Sequence, residues 1–206
     1  MNPPHLVLAG LESLTFLLLH GTGGDERSLL PSARSLRPGA HLLSLRGESL
    51  EEGVPRFFRR HREGVLDLED LKAKAQGLAA FVEEALRRHS LPRPLVALGH
   101  SNGANMALGL LFHHPHLLDG ALLFRPLEPF GEPYPPLEGK PVLFLLGAQD
   151  PLVPPQTAEA LRGRLEATGA RAEGHLLPAG HALTPEDLAL AQGWLGRVFP
   201  PRPPLP

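Results

Sequence analysis

Leu95-Val96-Ala97-Leu98-Gly99-His100-Ser101-Asn102-Gly103-Ala104-Asn105 is the stretch on which the fold turns. Its first four residues are an unbroken apolar run, of the length and type expected for a strand buried on both faces. Its last residues open a helical segment running to His113. Between them, Gly99-His100-Ser101-Asn102-Gly103 fits G-x-S-x-G, a pattern that composition alone would give in fewer than about one in ten chains of this make-up. A strand that turns at once into a helix forces the central serine into strained backbone and lifts its Oγ clear of the sheet. Side chains at the two flanking glycines would collide with neighbouring elements. A plainer account, in which Ser101 only caps the helix, uses the same residues.

A neutral serine is a weak nucleophile and needs a base, which in turn needs an orienting carboxylate. On a strand–turn–helix scaffold of this kind the chain order is Ser, then Asp or Glu, then His. Asp150 follows the apolar run 142–147 in a loop bounded by Pro151 and Pro154, and His181 follows the run 174–177 just before Thr184-Pro185-Glu186. Each also admits an ordinary reading, as a turn residue and a loop imidazole. Asp119, Asp187 and His175 are rivals. Asp119 precedes its strand, Asp187 lies inside the last helix, and His175 lies within a strand. Ser101, Asp150 and His181 are therefore the expected catalytic set.

Acyl transfer further requires backbone N–H donors aimed at the developing oxyanion. One is expected from Asn102, the residue after the serine. The other is expected from His20-Gly21-Thr22-Gly23-Gly24, which follows the apolar run 14–19 and whose natural donor is the amide of Thr22. A phosphate-binding loop is the competing reading, but no Gly-Lys-Ser/Thr follows and the spacing is not G-x-G-x-x-G.

Working outward, short β-type runs at 14–19, 41–46, 95–98, 120–124, 142–147 and 174–177 alternate with helix-type segments at 25–36, 69–89, 102–113, 158–167 and 186–198. Such alternation means βαβ units: an α/β fold with a mostly parallel central sheet, helices on both faces and no large lid domain. Leu6-Val7-Leu8 is expected to add an antiparallel edge strand. Residues 1–199 read as one domain and 200–206 as a Pro-rich tail that cannot be helical. Residues 48–66 and 125–140 lack clean periodicity, follow strand ends and are expected to border the site. From them, Phe57, Phe58, Phe130 and Tyr134 are candidate pocket residues. Arg56, Arg59, Arg60 and Arg62 are candidate attractors of an anionic substrate, with Gly23 as a further contact; the alternative is a solvated basic loop anchored by two phenylalanines.

Lys+Arg 20 against Asp+Glu 22 leaves a net charge of −2, which disfavours nucleic acid or an anionic membrane as partner. Pro and Gly together make 46 of 206 residues, about 22%, below the level of low-complexity chains. With no Cys there is no thiolate nucleophile and no Cys-ligated zinc. His113-His114-Pro115-His116 does not read as a metal site, because Pro115 ends the helix and parts the three rings. Glu83-Glu84 with Arg87-Arg88 reads as a solvated helix face. The N-terminus lacks the charged region of a secretory signal and no run is long enough to span a bilayer, so a soluble cytoplasmic protein is expected. Seventeen Arg to 3 Lys, with three Asn, resembles a thermophile's composition, which coding bias also produces.

Together, His20-Gly21-Thr22-Gly23-Gly24, Gly99-His100-Ser101-Asn102-Gly103, Asp150 and His181 resemble the α/β-hydrolase superfamily, and within it the small lidless carboxylesterase/lysophospholipase branch that includes the acyl-protein thioesterases. Gly53-Val54-Pro55-Arg56-Phe57-Phe58-Arg59-Arg60, Glu69-Asp70-Leu71 and Ser101-Asn102-Gly103-Ala104-Asn105 further resemble a bacterial subgroup linked to hydroquinone-like aromatic compounds. The resemblance spans residues 14–199. It implies a Ser101–His181–Asp150 triad with the Thr22 and Asn102 amides as oxyanion hole, and no cofactor or metal. The thioesterases usually carry a shorter H-G-x-G-D stretch, which leaves the place of Asp25 open. Dienelactone hydrolases share the scaffold but use a cysteine nucleophile. The function expected is a serine carboxylesterase acting on small to medium esters, with a pH–rate limb near about 6.5. Lysophospholipase or thioesterase activity on longer acyl chains is the alternative, as is a non-catalytic small-molecule-binding module. The expected partner is a small-molecule ester, and a homodimer is compatible with it.

Overall fold

The computed structural model describes residues 2–128, 130 and 134–201. A seven-stranded sheet forms its centre, built from β1 (His5–Leu8), β2 (Thr15–Leu19), β3 (His41–Leu45), β8 (Leu95–His100), β9 (Gly120–Phe124), β10 (Pro141–Gly147) and β11 (Arg171–Leu177) in the order β1-β3-β2-β8-β9-β10-β11. Every pairing is parallel except β1 with β3, so the expected antiparallel edge strand is present. The sheet is covered by α1 (Leu30–Leu36), α2 (Leu68–Arg88), α3 (Asn102–His113), α4 (Thr157–Glu166) and α5 (Pro185–Val198). This is the α/β-hydrolase fold.

Alternate strand residues feed two separate cores, which is why the strands read as continuous apolar runs. Leu17, Leu19, Ala97 and Phe144 pack with α2, α3 and α4 on one face. Phe16, Leu18, Leu98 and Leu145 pack with Ala33 and Leu36 of α1 and with Ala191, Trp194 and Leu195 of α5 on the other. No helix among the described residues is long and apolar enough to cross a membrane.

Two segments differ from expectation. The helix expected over 25–36 begins only at Leu30, with Pro31 in its first turn. A proline there would break a longer helix but fits a first turn. Asp25 instead closes a turn, its Oδ1 accepting from the Arg27 amide (2.9 Å) and the Ser28 hydroxyl (3.0 Å). These bonds hold its carboxyl below the usual carboxylate range. The aperiodic stretch 48–66 is two hairpins, β4 (Ser49–Glu51) with β5 (Val54–Arg56) and β6 (Arg60–Arg62) with β7 (Val65–Leu66). Glu52 (φ 52°) and Gly53 (φ 79°) form the first corner, where both central residues need positive φ. The strands are too short for alternation to register, so the acidic–Gly corners at Glu52-Gly53 and Glu63-Gly64 were their only sequence signal.

Of the tail, residues 202–206 lie outside the described residues, as do 129 and 131–133 of the second loop.

Candidate active site

The chain runs outward from β2 to β3 on one side and returns to β8 on the other. The loops after β2 and β8 therefore part at the carboxyl end of the sheet, where such folds hold ligands. Ser101 stands at that point with φ 53° and ψ −114°, a strained backbone for a residue with a side chain. The flanking glycines are obligatory. A Cβ on Gly99 would come within 2.7 Å of the Ala104 amide, and one on Gly103 would strike the carbonyl oxygens of Leu19 and His20.

The loops after β10 and β11 bring Asp150 and His181 to Ser101. His181 Nε2 lies 2.9 Å from Ser101 Oγ, and its Nδ1 lies 2.7 Å from Asp150 Oδ2. A carboxylate only accepts, so Nδ1 carries the proton and Nε2 is left to accept from the serine hydroxyl. The Asp150 carboxylate is fully buried, and its other oxygen accepts from the amides of Leu152 (2.8 Å) and Val153 (3.3 Å). Pro151 and Pro154 confine this turn. The rivals stand elsewhere: Asp119 accepts from Arg93 and the Leu95 amide, and His175 pairs with Glu173.

The Asn102 amide heads α3 and so has no carbonyl within the helix to bond. In the His20–Gly24 loop, the Gly23 amide donates to Pro55 O (2.9 Å) and the Gly24 amide to Gly21 O (3.0 Å). That leaves the Thr22 amide without an acceptor among the described residues. His20 is buried beneath this loop. Its Nδ1–H donates to Gly21 O (2.6 Å) and its Nε2 accepts from the Gly47 amide (3.0 Å), a pairing only the neutral ring can make.

Three residues at the site were not anticipated in these roles. Arg125, wholly buried, donates through Nε to Gly180 O (2.8 Å) and through Nη2 to Ala182 O (3.1 Å), while His100 Nε2 donates to His181 O (3.0 Å). The three successive carbonyls of residues 180–182, around His181, are thus each held. Asp187 compensates the Arg125 charge with two bonds of 2.7 Å and also caps α5 through Thr184. An arginine directly after a buried strand, Phe124-Arg125-Pro126, was the available signal, but its partner lies 62 residues on.

Burial lowers the imidazole pKa of both His20 and His100. As the pH falls the unfolded chain binds protons first, at about 6.5, while the folded chain does not. Stability is therefore expected to hold above about pH 6.5 and to fall below it, until the folded-state values are reached. Calorimetric Tm values from pH 8 to 5 would test this; a Tm unchanged down to pH 5 would contradict it.

Ser101 and His181 open into a cavity of about 530 Å³ whose apolar wall includes Leu29, Leu66, Leu127, Leu152, Val153 and Leu183. None of the four aromatic candidates lines this cavity, and Phe57 and Phe58 anchor their loop, as the alternative reading has it. Phe57 and Phe58 turn away from the cavity into the core with α2 and α3, because burial against that helix pair takes both rings out of water. Phe130 and Tyr134 instead stack on and against Phe112. Gly23 does not line the cavity either, and its N–H is already engaged. Arg56 and Arg60 do border the cavity but share Glu51, at 3.1 and 3.4 Å, while Arg59 sits between Asp67 and Asp70.

A sequence model of the dienelactone hydrolase family matches residues 61–190, the segment containing Ser101, Asp150 and His181. The Bacillus subtilis (strain 168) protein named "Putative hydrolase MhqD" is 42% identical over 192 residues, covering 92% of this chain and 96% of its own. The Bacillus cereus carboxylesterase structure superposes with a TM-score of 0.92 at 40% identity, over 96% of this chain and 95% of that one. The carboxylesterase from Mesorhizobium loti gives 0.87 at 32%, over 95% and 99%. The expectation that a dienelactone hydrolase carries cysteine does not exclude this chain, which has serine at position 101 and no cysteine. With its fold, its match over most of the chain and its full-length relatives in agreement, this protein belongs to the dienelactone hydrolase family of α/β-hydrolases.

Proposed function

We propose that residues 1–199 act as one domain and form a serine carboxylesterase for small to medium carboxylic esters. The observation that carries this reading is the single imidazole of His181 bonded to Ser101 Oγ at 2.9 Å and to Asp150 Oδ2 at 2.7 Å. His181 Nε2 takes the hydroxyl proton as Oγ attacks the ester carbonyl, and Asp150 keeps the imidazole tautomer and stabilises the imidazolium that forms. The amides of Thr22 and Asn102 receive the oxyanion. His181 then gives its proton to the leaving alkoxide. Water enters by the same path and releases the acyl group. The carboxylesterases among the relatives support the reaction class, and the aliphatic lining of the cavity supports an uncharged acyl or alcohol group of limited length.

Hydrolysis of p-nitrophenyl esters from acetate to laurate tests the reading. Turnover is expected to peak at short to medium chains. Rates that climb steadily to laurate would move the substrate class to lysophospholipids or thioesters. Tight binding of an aromatic ligand without any turnover would replace the enzyme by a binding module.

A further inference from the structure

We infer that residues 55–58, where β5 runs into the core, brace both halves of the oxyanion hole at once, with Arg56 and the Thr22 hydroxyl as the positioning pair. The inference rests on the reaction proposed above. The two amides concerned belong to loops from different strands, β2 and β8. Each residue of 55–58 bonds to one loop or the other. Pro55 O accepts from the Gly23 amide (2.9 Å), and Arg56 Nη1 donates to Thr22 Oγ1 (2.7 Å). The Phe57 amide donates to Asn102 Oδ1 (2.7 Å), and Phe58 O accepts from Asn102 Nδ2 (3.4 Å).

The brace is itself held. Arg56 is 4% exposed, donates through Nε to Phe58 O (3.1 Å) and faces Glu51 across 3.1 Å. Its backbone is seated so closely against Gly47 that a Cβ there would strike the Arg56 carbonyl. Asn102 is buried, whereas Thr22 is exposed at a loop tip. Packing fixes the first amide but cannot fix the second. The hydroxyl bond to Arg56 supplies what packing does not, and Glu51 balances the guanidinium charge, so Arg56 acts here through Thr22 rather than as an anion receptor. Displacing a reacting or stabilising group by about 1 Å costs up to about 10²-fold in rate, which is the scale on which such a brace matters.

Three variants isolate it. T22V removes the hydroxyl and keeps the amide, T22S keeps both, and R56Q removes the donor. On p-nitrophenyl butyrate, T22V and R56Q are expected to lower kcat by about 10- to 100-fold with little change in KM. T22S should retain near wild-type kcat. The double variant T22V/R56Q should be no worse than R56Q alone, since both remove one bond. T22V should also keep its Tm, since the residue is exposed. A butyl trifluoromethyl ketone gives a second readout. Ser101 Oγ adds to its carbonyl carbon, the carbonyl electron pair moves to oxygen, and the hydroxyl proton passes to His181. Its inhibition constant should weaken in T22V in step with kcat. The inference is overturned if Ser101→Ala abolishes turnover while T22V keeps wild-type kcat or changes KM alone. It is also overturned if T22S fails like T22V. If wild type and Ser101→Ala are equally inert, the reaction itself falls, and this inference with it.

Discussion

Ser101→Ala is expected to lower kcat by about 10⁴- to 10⁶-fold, the range seen when a serine nucleophile is deleted from an assembled triad. His181→Ala should fall in the same range, and the Ser101→Ala/His181→Ala double variant little further, because the base has no other proton to take. Neither change removes a core contact. The backbone at Ser101 makes the experiment sharper. Its φ of 53° with ψ of −114° is a conformation glycine adopts readily and alanine, like serine, only under strain. Ser101→Gly should thus be as inactive as Ser101→Ala yet more stable by about 1 kcal/mol, what remains of about 1–3 kcal/mol of strain after the entropic cost of glycine, about 0.5–1 kcal/mol. Steady-state kinetics with urea denaturation of the two variants would measure both effects. A Ser101→Ala enzyme within tenfold of wild type would refute the mechanism, and a Ser101→Gly variant less stable than Ser101→Ala by about 0.5–1 kcal/mol, the entropic cost of glycine alone, would show that the elbow stores no strain.

Asp187→Ala is expected to destabilise the fold by about 3–5 kcal/mol, the cost of leaving one member of a buried ion pair uncompensated. Arg125 and Asp187 are both 0% exposed, so removing the carboxylate leaves a buried guanidinium without its counter-charge. Asp187 also accepts from the Thr184 amide and hydroxyl, so the same substitution removes the carboxylate half of the capping box at the start of α5. At about 2–4 °C per kcal/mol for a domain of this size, Tm should drop by roughly 6–20 °C. The double replacement Arg125→Met/Asp187→Leu should recover much of that stability, since apolar residues of like volume commonly match a buried pair. It should not recover activity. The carbonyls of Gly180 and Ala182 would have lost their donors, and His181 with them its frame. A double variant that regains both stability and kcat would show that Arg125 serves the fold alone.

The sheet and its order of elements were legible because the central strands are short and mostly apolar, and because α2 repeats its apolar positions with helical spacing. β11 carries Arg171, Glu173 and His175, and only its end at 174–177 reads as a strand. The two hairpins between β3 and α2 were not legible, since strands of two or three residues carry no periodicity. That Ser101, Asp150 and His181 meet was legible for a related reason: the proposed chemistry dictates residue types and chain order, and each had to follow a strand end. Phe57 and Phe58 show the limit. Two phenylalanines beside a basic cluster suggest a binding pocket, and nothing local tells whether the rings face the cavity or the core. That depends on which side of the hairpin meets α2 and α3, a packing choice made over distance. Arg125 is the same case with charge: alone it reads as the start of a surface loop, and only the arrival of Asp187 from α5 makes its burial possible. The sequence by itself determined the scaffold and singled out Ser101, Asp150 and His181 as the groups proposed to do the chemistry. Tertiary structure alone decided what holds those groups in place, because bonds such as Arg56 to Thr22 and Arg125 to Gly180 join segments 34 and 55 residues apart that no local pattern relates.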